Sequence, residues 1–328
     1  MMASVHGGSD SGPVVLHDFS TNANPLPPPA ALTEALRQAD RRRYPDPQYL
    51  ALREHLARAH GVAVGQILPA SGGAEAIRRL SLAAQLQGLR EVWVPAPGFG
   101  DYAAAAQALG LRVRPYADVE RLLQGLDGQG SEALVWICEP CNPTGESLGR
   151  AQIAAIAARA ALTVLDRAYE PLRLVGSAPD IPPNCWQLHC PNKALGHTGV
   201  RAAYLVAPDD GPLNERLRQL AASWVLSAEG QVLLMQLHRP EIQAWLADSR
   251  ARLRLWTAQQ REMLAALGWQ QRASCTPFWL ACPAAVLPDL RARGIKLRDA
   301  ASFGLPGWVR IATLPPQSQQ MLKMELLR

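Results

Sequence analysis

Only three lysines occur in the 328 residues: Lys193, Lys296 and Lys323. Arginine supplies the other positive charge, and a delocalised guanidinium that stays protonated cannot form an imine. Imine chemistry therefore has three possible carriers. Lys193, in HCPNKALGHTGVRAAYLV, is the one whose neighbours are suited to it. Asp166 closes the apolar run LTVLD, and a carboxylate at a buried strand end needs a cationic partner. Tyr169 follows three residues later in D-R-A-Y. Asn142 opens N-P-T-G just past ALVWIC, where Asn-Pro favours a turn that aims the amide into a strand-end cleft. The turn Ser71-Gly72-Gly73-Ala74 leads into a helical run and presents backbone N–H groups to a phosphate. Arg201 stands eight residues after Lys193, and Arg310 lies inside the apolar WVRIA, where an unpaired guanidinium is costly. Lys323, in QQMLKMELLR, reads as a solvated helix residue, and Lys296, after Gly294, as the start of a strand.

The surrounding pattern predicts what positions these residues. Residues 1–28 are rich in Gly, Pro and Asn and read as an extended arm. Helical spacing follows over 29–40 and about 48–60. From about 66 to 208, apolar runs at 91–95, 111–116, 133–138, 162–166 and 202–206 alternate with helix-like stretches at 74–87, 101–109 and 149–161. That alternation predicts an α/β fold with a mostly parallel sheet covered by helices. Ligands of such sheets bind beyond the carboxyl ends of the strands, where Asp166 and Asn142 fall. Residues 228–266 read as one long helical region with a kink or break at Pro240. Short apolar segments, a helix near 284–293 and a closing helix near 315–327 complete a smaller α+β domain that the arm joins. The division is 1–42 for the arm and part of the small domain, 43–225 for the large domain and 226–328 for the small one.

In this order and spacing the glycine turn, N-P-T-G, D-x-x-Y and the lysine with its downstream arginine resemble fold-type I pyridoxal-phosphate enzymes of the aminotransferase superfamily, over nearly the whole chain. The resemblance implies pyridoxal 5'-phosphate, held covalently by Lys193. It implies that Asp166 pairs with the pyridinium nitrogen and that Asn142 and Tyr169 bond the ring hydroxyl. Arg201 and the N–H groups around Gly72, Gly73 and Ala74 would hold the phosphate, and Phe99, in APGFGDY, would stack on the ring. Tyr44, in RRYPD, matches the tyrosine that reaches the neighbouring subunit's cofactor, so the resemblance implies a homodimer with shared active sites.

Four segments are similar to the threonine-phosphate decarboxylase family of cobalamin biosynthesis, which is close to the histidinol-phosphate aminotransferases. They are His6-Gly7-Gly8, HDFSTNANPLPPP at 17–29, PGFGDY at 97–102 and LRDAASFGLPGWVRIAT at 297–313. This implies a phosphorylated amino acid as substrate, with His6 and Asn22 on its phosphate and Arg310 on its carboxylate. The chain departs from the pattern where Cys190 and Asn192 replace the usual Ser and Thr before the lysine, and where D-R-A-Y replaces D-E-A-F. Tyr169 keeps transamination open, and the lost hydroxyls leave a non-catalytic relative as a third reading.

Composition excludes other classes. Hydrophobic residues make up 48% and charged residues 19%, which suits a globular chain. No apolar run reaches the length of a membrane span, and the first residues lack a signal-peptide pattern, so cytoplasmic placement with reduced cysteines is expected. Cys138 and Cys141 form C-x-x-C without a second pair at zinc spacing, so no metal site is predicted. The net charge of +5 comes from dispersed arginines, with no nucleic-acid-binding motif.

Overall fold

A computed structural model describes residues 6–127 and 132–328. The arm contributes β1 (His17–Asp18). The large sheet uses β2 (Ile67–Ala70), β3 (Glu91–Pro95), β4 (Arg112–Tyr116), β5 (Ala133–Cys138), β6 (Leu162–Asp166), β7 (Trp186–His189) and β8 (Ala203–Val206). Their spatial order is β2-β8-β7-β6-β5-β3-β4. All pairs are parallel except those of β8, which runs against both neighbours. This reversal bears on function. An antiparallel neighbour needs no crossover helix, so β7 passes to β8 through the short connection that carries Lys193 and Arg201.

Every residue of β5 and β6 is buried, as expected for strands covered on both faces. Along β5 the side chains alternate between two cores. Leu134 and Trp136 join Ile77 and Leu80 of α3 (Gly73–Leu86) and Tyr102 and Ala106 of α4 (Gly100–Ala108). Val135 and Ile137 join Leu122 and Leu126 of α5 (Val119–Asp127) and Ile153 and Ile156 of α6 (Arg150–Ala157). A third core gathers α1 (Ala30–Arg37), α2 (Leu50–His60), α8 (Ala228–Gln236) and α9 (Pro240–Ala266) over Ile67, Tyr204 and Val206, while α7 (Pro212–Leu220) adds Leu217 to the first.

The smaller sheet has the order β12-β13-β10-β9, from β9 (Gln270–Gln271), β10 (Phe278–Cys282), β12 (Arg298–Asp299) and β13 (Val309–Ala312), and it is antiparallel throughout. β11 (Ile295–Lys296) pairs in parallel with β1 of the arm. Phe19 of the arm packs with Trp279, Ile311 and Leu322, the last from α10 (Pro316–Leu326).

The region 228–266 breaks where Pro240 stands, and the proline is the first residue of α9, a position whose N–H is unused in any helix. The helix expected near 284–293 is absent. Only a 3₁₀ turn at Arg291–Arg293 forms there. Pro288, in the middle of that stretch, has no N–H for an i→i−4 bond and clashes with the preceding turn, which leaves segments too short to hold a helix on either side. β2, β7, α5 and α7 were not anticipated.

A histidine cluster lies beside β7. His60 is hydrogen-bonded to the Tyr204 hydroxyl at 2.9 Å, and its ring stands 4.8 Å from that of His189 and 5.6 Å from that of His238. Burial, then the nearby His238 and Arg167, hold His60 down to about 4 from an ordinary 6.5. The neutral ring is therefore favoured by folding. The stability it supports is complete above pH 6.5 and is lost as pH falls toward 4, because the unfolded chain takes up the proton first. This term amounts to at most about 3 kcal/mol. Thermal midpoints measured from pH 7 to pH 4 should fall, and less so in His60→Gln. An equal fall in both proteins would rule out His60 as a source.

Candidate active site

A cavity of about 410 Å³ opens where the arm and both sheets meet, at the carboxyl ends of the central strands. Cavities of about 600 and 760 Å³ lie elsewhere and contain neither Lys193 nor Asp166. Into the smaller one project His6, Asn22, Gly73, Ala74, Phe99, Asn142, Asp166, Tyr169, Lys193, Arg201 and Arg310. Gly72 and Tyr44 are the singled-out residues that do not line it. Gly72 has φ of +84°, and a Cβ there would meet the Arg201 guanidinium at 2.5 Å. Only glycine allows both that backbone and that approach. Tyr44 is exposed and stacks on Trp224, with ring centroids 4.2 Å apart.

Asp166 ends β6 at the floor of the cavity. The Tyr102 hydroxyl donates to one carboxylate oxygen at 2.7 Å, and the Ala168 N–H donates to the other at 2.9 Å. Burial nevertheless pushes its pKa up, against these two donors and the charge of Lys193. Such a carboxylate is stabilised by a cation within reach. Lys193 Nζ lies 5.3 Å from the centroid of the Tyr169 ring. Desolvation presses the Lys193 pKa down, but Tyr169, Cys190 and Asp166 outweigh it and the net shift is upward. Phe99 meets Tyr102 edge to face at 5.6 Å, and Tyr102 stacks on Trp136 at 4.9 Å, so the aromatic wall is braced from behind.

The anion-binding features lie at two places. One holds Arg201 and the first residues of α3, whose N–H groups have no partner within the helix. The other holds Arg310, buried in β13. Its guanidinium donates to Asn142 Oδ1 at 2.6 Å and to the Ser20 carbonyl at 2.5 Å, leaving Nε unpartnered. Burial pulls its pKa down to about 10, partly offset by Tyr169, so it stays charged at neutral pH. Asn22 is buried in the cavity wall and neither end of its amide has a partner, so both ends are open to a ligand. His6 approaches Asp101 at 3.5 Å and the Phe99 ring at 5.8 Å.

Several contributors were not anticipated. Tyr102 holds Asp166, and Arg298, Phe303, Thr198 and Asp101 also line the cavity. Arg298 lies over the Phe303 ring at 4.7 Å, a pairing prefigured by the R-x-x-x-x-F spacing of the closing segment. All six cysteines are free thiols. Among the described residues no group of three or more His, Cys, Asp or Glu side chains is arranged to hold a metal, and no helix is long and apolar enough to cross a membrane.

A lysine, a buried carboxylate awaiting a cation, an aromatic wall and an anion-binding helix start fit a phosphorylated pyridine aldehyde. The family model for aminotransferase class I and II matches residues 15–324. The chain belongs to that family. Its cofactor is pyridoxal phosphate, which the residues lining the cavity fit. The chain is 30% identical over 323 residues to a histidinol-phosphate aminotransferase of Halorubrum lacusprofundi, covering 90% of this chain and 84% of that one. It is 32% identical over 251 residues to a threonine-phosphate decarboxylase of Salmonella typhimurium, covering 69% and 67%. In fold it is similar to a histidinol-phosphate aminotransferase of Sinorhizobium meliloti solved with pyridoxal-5'-phosphate, with a TM-score of 0.80, 22% identity and coverage of 93% and 88%. As an aminotransferase-family fold it has the mixed, mostly parallel sheet between helices that the sequence predicts.

Proposed function

We propose that this family member decarboxylates L-threonine O-3-phosphate to (R)-1-amino-2-propanol O-2-phosphate, a step of cobalamin biosynthesis. The observation that carries the reading is the seat of the His6-Gly7-Gly8 arm. Gly7 lies so close to Ser20 that a Cβ would come within 2.0 Å of its carbonyl oxygen and 3.1 Å of the Arg310 guanidinium. Only glycine permits that approach, and it brings His6 into the cavity that contains Asn22, Arg310 and Lys193.

The residues divide the work between the two ends of a dianionic substrate. Arg310, held by Asn142 and the Ser20 carbonyl, takes the carboxylate. His6 and Asn22 take the substrate phosphate. The bound cofactor supplies an electron sink for the bond that breaks at Cα. Asp166 keeps the ring nitrogen protonated. Lys193, which would hold the cofactor, would supply the proton that Cα takes up in place of carbon dioxide. The active unit is a homodimer. Tyr44 is exposed beside Trp224 and outside its own subunit's cavity, available to reach the cofactor phosphate of a second copy.

A second reading is transamination of histidinol phosphate or a similar amino donor. It is favoured by Tyr169, whose ring lies beside Lys193 Nζ, and by relatives that carry that name. Product analysis after mixing the cofactor-loaded protein with threonine phosphate separates the two. Decarboxylation releases carbon dioxide and aminopropanol phosphate with no keto acid present. Absence of carbon dioxide, together with turnover of histidinol phosphate that depends on 2-oxoglutarate, would replace the first reading by the second.

A further inference from the structure

We propose that the Thr198 hydroxyl is a ligand of the cofactor phosphate, replacing the hydroxyls that positions 190 and 192 lack, and that Asn192 is its positioning residue. The proposal rests on pyridoxal phosphate as the cofactor. Cys190 lies beneath the first turn of α3, since a Cβ on Gly73 would meet its sulfur at 3.6 Å. A thiol there is a weak donor to an anion. Asn192 is buried and does not line the cavity. Its Oδ1 accepts from the Cys190 thiol at 3.2 Å, and its Nδ2 donates to the Thr198 carbonyl at 3.3 Å. Its own carbonyl accepts from the His197 N–H at 2.8 Å. The side chain that stands where the pattern has a hydroxyl therefore clamps the loop that brings another one.

Thr198 lines the cavity together with Arg201, Gly73 and Lys193. Its carbonyl also accepts from Arg201 Nη1 at 3.1 Å, so the threonine and the phosphate-binding arginine are fixed to each other. Two other hydroxyls that line the cavity, both from the arm, are committed. Ser20 donates to Asp18 at 2.5 Å and Thr21 to the same carboxylate at 2.6 Å. The Thr198 hydroxyl bonds no other described residue, and its loop stands at the phosphate end of the site.

The test is an absorbance titration of cofactor-free protein with pyridoxal phosphate and, separately, with pyridoxal. Thr198→Val is expected to weaken pyridoxal phosphate binding by roughly 10- to 100-fold, the range for a hydrogen bond to a charged group. It should leave pyridoxal binding unchanged. Thr198→Ser should bind both as the wild type does, and Cys190→Ser added to Thr198→Val should restore much of the loss. Asn192→Ala should show the same phosphate-selective loss and add little to Thr198→Val, as coupled positions do. Unchanged pyridoxal phosphate affinity in Thr198→Val would overturn the proposal. So would an equal loss for both compounds, which marks a structural role. A wild type that binds neither compound would instead overturn the cofactor assignment.

Discussion

Lys193→Ala is expected to lower turnover on the order of 10⁴-fold or more, since in the proposed function one side chain both holds the cofactor and moves the proton at Cα. The small number of lysines makes the outcome sharp. Lys323 lies on the terminal helix α10, and Lys296 is engaged by the Asp10 carboxylate at 2.6 Å and by the Gly8 carbonyl. Neither lines the cavity that contains Asp166. Borohydride reduction of the wild type in the presence of pyridoxal phosphate should add one pyridoxyl group, recovered on the peptide that contains Lys193. The variant should gain none and should lose the visible absorbance of the bound cofactor. Recovery of the label on Lys296 or Lys323, or turnover close to wild type, would remove Lys193 from its role. A circular dichroism spectrum matching that of the wild type would show that the loss is chemical.

What the sequence disclosed about this site depended on how local the signal was. The strands β3, β5 and β6 end where expected, because each is an apolar run stopped by a proline, a turn or a carboxylate. Asp166 and Asn142 were readable for the same reason, as polar residues placed at the ends of such runs. β2 and β7 were not: β2 has Pro69 among its four residues, and β7, although Trp186, Gln187, Leu188 and His189 alternate, is only four residues long. The helix expected near 284–293 shows the opposite error, in which composition outweighed two prolines. Contacts across the fold were hidden altogether. Nothing near Tyr102 shows that its hydroxyl meets a carboxylate 64 residues later in the chain, and Thr198 acquires meaning only once Asn192 is seen to hold it. The arm is intermediate. Its motif identified His6, but the fit of Gly7 against Ser20 needed the folded chain.

Asp166→Asn carries the second large effect, and it separates charge from shape. The buried carboxylate gains two hydrogen bonds, yet burial still pushes its pKa up. In the protein without a cofactor its charge is thus an unfavourable feature of the core, and the amide fits the same space at no loss of neutral packing. The thermal midpoint of the cofactor-free variant should stay within about 3 °C of the wild type or rise. Turnover should fall about 10²- to 10³-fold, because in the proposed function Asp166 is the anion that keeps the ring nitrogen protonated. The two results point in opposite directions only if Asp166 serves chemistry at the expense of stability. A variant that loses both activity and several degrees of stability would place Asp166 among structural residues. A cofactor analogue methylated at the ring nitrogen has a permanent positive charge, and it should restore part of the turnover in Asp166→Ala, where the methyl group has room. Failure of that rescue, with the analogue bound, would show that the carboxylate acts through position and not through the charge it confers on the ring.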